Sequence, residues 1–131
     1  MRNVFFIVGI LLYFTSCNKT VDSSQVAQEK PIAFSIDASN ATISPSSNFA
    51  VTVTLTSTIP SSQGIKIEAI VSDQTNNNSI TQNPAISNTN IKNTISLINL
   101  PQQHWCNATI RVSSVATPTN TSSQNFTVVY K

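Results

Sequence analysis

The sequence predicts an all-β fold: a two-layer β-sandwich of about seven antiparallel strands. Beyond residue 31, apolar and polar residues alternate in short segments, and β-branched residues are frequent in those segments. Clusters of Ser, Thr, Asn and Pro separate the segments, and no stretch there carries a sustained helical apolar period. Several short strands spaced in this way indicate a sandwich rather than βαβ units.

Residues 32–36 place Ile32, Phe34 and Ile36 on one face. The clearest segment, 49–56, turns Phe49, Val51, Val53 and Leu55 inward and its threonines toward water. Segment 64–71 alternates Ile65, Ile67, Ala69 and Val71 against Lys66, Glu68 and Ile70. Residues 91–100 follow, then 106–112 with Cys106, Ala108, Ile110 and Val112 inward, and 126–130 with Phe126, Val128 and Tyr130. Turns are predicted at 44–48, 60–64, 73–79, 101–103 and 117–123. Gly64 is the one glycine in this region, so asparagine is expected to occupy most positions of positive φ.

The last forty residues resemble the end of a fibronectin type III or related immunoglobulin-like domain. The resemblance is carried by Leu97, by Leu100-Pro101, and by the strand with 106, 108, 110 and 112 inward. A polar loop and a terminal strand complete it. It implies an immunoglobulin-like sandwich over 32–131. The family's tyrosine, six residues after the leucine that ends the fifth strand, is here Cys106. Its second-strand tryptophan is absent from 49–56, and no cysteine there could pair with Cys106. The resemblance thus implies architecture without a tyrosine corner or a disulfide, and architecture does not imply function.

Residues 1–17 have the three parts of a secretory signal: Arg2, an apolar run from Val4 to Phe14, and the small residues Thr15-Ser16 before Cys17. The run is too short for a helix that spans a bilayer, which needs roughly 20 residues. Phe14-Thr15-Ser16-Cys17 resembles the lipobox of bacterial lipoproteins, in the relaxed form of Bacteroidota, where a Ser-Cys pair runs into a polar Asn/Lys stretch such as Asn18-Lys19. The resemblance implies cleavage after residue 16, acylation of Cys17 and anchoring in a membrane. Asn18, rather than an aspartate, points to the outer membrane and leaves the face open. Residues 17–31 read as a flexible tether. The expected organisation is a signal peptide at 1–16, a lipidated tether at 17–31 and a sandwich at 32–131.

The chain has formal net charge +2 and 9% charged residues, so it has no electrostatic footprint for nucleic acid. Ser, Thr and Asn make up more than a third of it. With Cys17 assigned to the lipid, one histidine and one cysteine fall short of a zinc site, and the 73–79 loop has a single carboxylate, too few for calcium. No metal or cofactor is expected.

His104-Trp105-Cys106 is the one reactive-looking cluster. A cysteine–histidine dyad can be drawn there, but Cys106 falls in register with the inward set and reads as core. Trp105 falls out of that register. It either covers the end of the sandwich or stands exposed beside His104 as a ligand contact. The function expected is that of a non-catalytic envelope lipoprotein, a protein-interaction or structural module, with a small carbohydrate-binding accessory protein using Trp105 as the alternative. An envelope protein or a glycan is the expected partner, besides the membrane itself.

Overall fold

A computed structural model describes residues 28–131, all-β with no helix. Its strands are β1 (Phe34–Ile36), β2 (Ala41–Ser44), β3 (Phe49–Leu55), β4 (Ile65–Asp73), β5 (Ser79–Ile80), β6 (Ile86–Asn88), β7 (Lys92–Leu97), β8 (Trp105–Ser114) and β9 (Thr121–Tyr130). They form two sheets. The smaller has the order β1-β3-β7, the larger β2-β9-β8-β4-β5, with β6 also on β4.

One core joins the sheets. Val51, Val53 and Leu97 of the smaller sheet share a cluster with Ile65, Ile67, Val71, Ala108, Ile110, Val112 and Val128 of the larger. The predicted alternation along 49–55, 65–71 and 106–112 is realised, because each of these strands has one face against the other sheet.

The structure corrects the expectation at several points. The described residues form nine strands rather than about seven, and β2 runs parallel to β9, with Ile43 opposite Val129. β9 begins at Thr121, inside the predicted 117–123 turn, because the long β8 gives it a partner as far as Thr121 opposite Ser113. The predicted 73–79 turn loses both ends to strands, Asp73 to β4 and Ser79 to β5. Segment 91–100 is a strand only over Lys92–Leu97, and Leu100 is buried just beyond it. Positive φ occurs at Asn77, Asn99, Gln103 and Gly64, so asparagine takes two of the three non-glycine positions.

The chain enters the sandwich through a clasp at the β8–β9 corner. The Asn120 side chain donates through Nδ2 to Glu29 Oε2 (3.1 Å) and to the Lys30 carbonyl (3.0 Å), and its Oδ1 accepts from the Ile32 amide (3.2 Å). Ser114 Oγ donates to the other Glu29 oxygen at 3.0 Å. Glu29 and Lys30, in the expected tether, are therefore held by the sandwich. The Asn120 bond is the main cause that lowers the Glu29 carboxyl below its ordinary value. Asn120→Ala is expected to destabilise the domain by about 1–3 kcal/mol, since the Ile32 amide loses its partner. It should also speed protease cleavage between residues 28 and 33, which limited proteolysis with N-terminal sequencing would read.

Candidate functional site

β8 begins at Trp105, and that start decides where the candidate residues point. Strand alternation sends Cys106, Ala108, Ile110 and Val112 into the core and Trp105, Asn107, Thr109 and Arg111 to the outer face of the larger sheet. Trp105 is 40% exposed there and does not cover the end of the core. Val129 lies opposite it on β9, and Ile43 lies opposite Val129 on β2. Val129 is 1% exposed yet outside the core cluster, because it sits in the middle of this outer row. Ile43, at the sheet edge, is 61% exposed.

Beside the row lies a shallow depression lined by Asn40, Asn107, Ala108, Thr109, Asn125, Phe126 and Thr127. Asn107 Oδ1 accepts from Gln74 Nε2 (2.7 Å), and Asn125 Oδ1 accepts from Thr109 Oγ1 (2.8 Å). Thr127 Oγ1 donates to the Asn40 carbonyl (2.9 Å). Charge begins farther along the sheet, where Glu68 lies opposite Arg111 and bonds its Nε, with Lys66 Nζ at 3.5 Å. Burial works against the Glu68 charge, but these two cations outweigh it and lower its pKa.

His104, one residue before the strand, is on a different surface. Its Nδ1 lies 2.8 Å from Asp73 Oδ2, at the end of β4. Asp73 is buried, and its other oxygen accepts from the Thr75 amide at 2.8 Å, which folds the turn. The His104 bond, then the Thr75 amide, lowers the Asp73 pKa. A carboxyl with a lowered folded-state pKa stabilises the fold above its unfolded value and loses that contribution as pH falls. Stability is therefore expected to drop as pH falls through and below 3.8, the ordinary value. Asp73→Asn should flatten that drop in urea titrations repeated from pH 6 to about 2.

Asp73 also lies opposite Cys106, which is 0% exposed. The thiol donates weakly to the His104 carbonyl (3.9 Å), and burial, with the nearby Asp73 charge, raises its pKa. The cysteine–histidine dyad does not form: the imidazole is turned to Asp73 and the thiol into the core. In a Cys17→Ala chain, Cys106 is expected to resist a water-soluble thiol reagent until the protein unfolds. Rapid labelling in native buffer would contradict its burial.

Among the described residues, no three His, Cys, Asp or Glu side chains are grouped to hold a metal, and no helix is long and apolar enough to cross a membrane. Cys17 and the expected signal segment lie outside the described residues. No known protein family, curated protein or solved structure matches the chain.

Sequence reasoning singled out Trp105 and His104 but missed the amide-lined depression and Ile43. Asparagine is unfavourable in strands, and the segment of Ile43 carried no inward apolar alternation. The Asp73–His104 pair was missed because only the β4–β8 register brings residues 31 apart together.

Proposed function

We propose that this chain is a non-catalytic lipoprotein of the cell envelope. Acyl chains on Cys17 hold it at the outer membrane, and an immunoglobulin-like sandwich presents the outer face of its larger sheet to a partner. The lipobox-like Phe14-Thr15-Ser16-Cys17 supports the anchor. Two or more acyl chains hold a protein stably, at ~0.8 kcal/mol per buried methylene. The strand neighbours β1-β3-β7 and β9-β8-β4, with a first-strand extension parallel to β9, support the immunoglobulin-like reading.

The observation that carries the binding role is the display of Trp105 and Ile43 on a sheet face that the core does not use. Placement agrees with it. The chain is clasped at the β8–β9 corner, while Trp105 stands at the other end of β8, about 30 Å away at ~3.4 Å per residue. The segment between Cys17 and the clasp would reach ~20 Å if flexible, so the Trp105 end would be the one turned away from the lipid.

Metabolic labelling with a fatty-acid analogue tests the anchor. The wild-type chain is expected to carry label and fractionate with membranes, and Cys17→Ala to lose both. Unlabelled wild-type chain in the soluble fraction would overturn the lipoprotein reading.

A further inference from the structure

We propose that the face beside Trp105 binds a neutral glycan chain, which deepens the binding role above by naming its partner class. Three features of the face select this chemistry.

The first is the pairing of one exposed ring with amides. Trp105 and Asn107 are two residues apart on β8, so their side chains leave the same face in succession. An indole offers a flat apolar surface to the C–H face of a pyranose. A sugar also needs donors and acceptors for its hydroxyls within a few ångströms of that ring.

The second is that these groups are held in position. Gln74 fixes Asn107, and Thr109 fixes Asn125, each through the amide oxygen. The amide nitrogens of Asn107 and Asn125 have no hydrogen-bond partner among the described residues, and both residues line the depression. Preordered donors lose less freedom on binding than mobile ones.

The third is charge and composition. The depression has no charged lining residue, and the two cations farther along the sheet, Arg111 and Lys66, both pair with Glu68. An anionic polymer finds no cation here. A protein partner fits less well: stable protein interfaces cover roughly 800 Å² per side with an apolar centre. Here the exposed apolar side chains stand apart, Ile43 and Trp105 at one end and Ile70 opposite Thr109 on β4, with amide and hydroxyl side chains between them.

Because Trp105 is the one tryptophan in the chain, its fluorescence reports this site alone. The test uses the full chain, purified from whichever fraction holds it, with maltohexaose, cellohexaose and chitohexaose as probes. Binding is followed by tryptophan emission and by calorimetry up to about 10 mM, which covers the millimolar affinity expected of one stacked ring with a few hydrogen bonds. At least one probe is expected to shift the emission saturably. Asn107→Ala should weaken it about tenfold, and Trp105→Ala should abolish calorimetric binding while circular dichroism and melting temperature stay near wild type. Silence of all three probes overturns the proposal, as does binding that survives Trp105→Ala. Silence together with a co-purifying protein lost in Trp105→Ala would assign the face to a protein instead. None of these outcomes depends on acylation of Cys17, so failure here and failure of the lipoprotein reading are distinguishable.

Discussion

Ile110→Ala is expected to destabilise the domain by about 2–5 kcal/mol. Ile110 is 0% exposed at the middle of β8, with Ala69 of β4 and Gln124 of β9 as register partners. Truncation removes three buried carbon atoms and leaves a cavity between rigid strands that can close only in part. Neighbours on both sides of β8 hold the backbone, which argues for the upper half of the range. A domain of this size has about 5–15 kcal/mol of stability in all. At roughly 4–8 °C per kcal/mol, the melting temperature should fall by more than 10 °C. Thermal unfolding followed by circular dichroism checks it, and a shift below about 4 °C would contradict the packing described.

Gly64→Ala is expected to cost about 2–5 kcal/mol, from a change of one methyl group. Gly64 has φ +82°, which costs an L-residue roughly 1–2 kcal/mol. It is also crowded. A Cβ there would stand 2.8 Å from the Asn88 carbonyl carbon and closer still to its oxygen. Backbone cannot swing aside as a side chain can, so β6 would have to move, adding about 1–3 kcal/mol. Asn88 is itself a junction: its Nδ2 donates to Asn93 Oδ1 at 2.7 Å, and its Oδ1 accepts from the Asn90 amide. Urea unfolding should show a lower midpoint with an unchanged slope. The exposed neighbour Ser62→Ala should stay within about 0.5 kcal/mol of wild type.

What could be read from the sequence follows from which face of each strand is buried. Along 49–55 and 106–112 every second residue is apolar and meets the other sheet, so periodicity alone gives both strand and facing. β2 inverts the rule. Its buried member is Ser44, whose hydroxyl donates to the Ser46 and Asn48 carbonyls, while Ile43 faces water. A search for inward apolar residues passes over such a strand. The first half of β9, Thr121–Asn125, is polar on both faces and is held by the ladder to β8. There Gln124 reaches across to bond the Phe34 carbonyl of β1, a contact no local pattern announces.

The candidate site divides in the same way. The outward phase of Trp105 is set by Cys106, Ala108 and Ile110, and is legible. That the ring stands on the sheet face instead of closing the end of the core depends on the strand starting at residue 105. Asp73 and His104 occupy the end position instead, and their meeting is fixed by the register of two strands far apart in sequence.

On the proposed function, the outer face of the larger sheet, with Trp105 on it, is the surface this protein works with. Acrylamide quenching of the single tryptophan tests it most directly. In the native protein the emission should be intermediate between buried and free indole, and quenching should proceed at a substantial fraction of the unfolded rate. A blue-shifted emission that acrylamide barely touches would place the ring inside the molecule and remove the surface on which the proposed function stands.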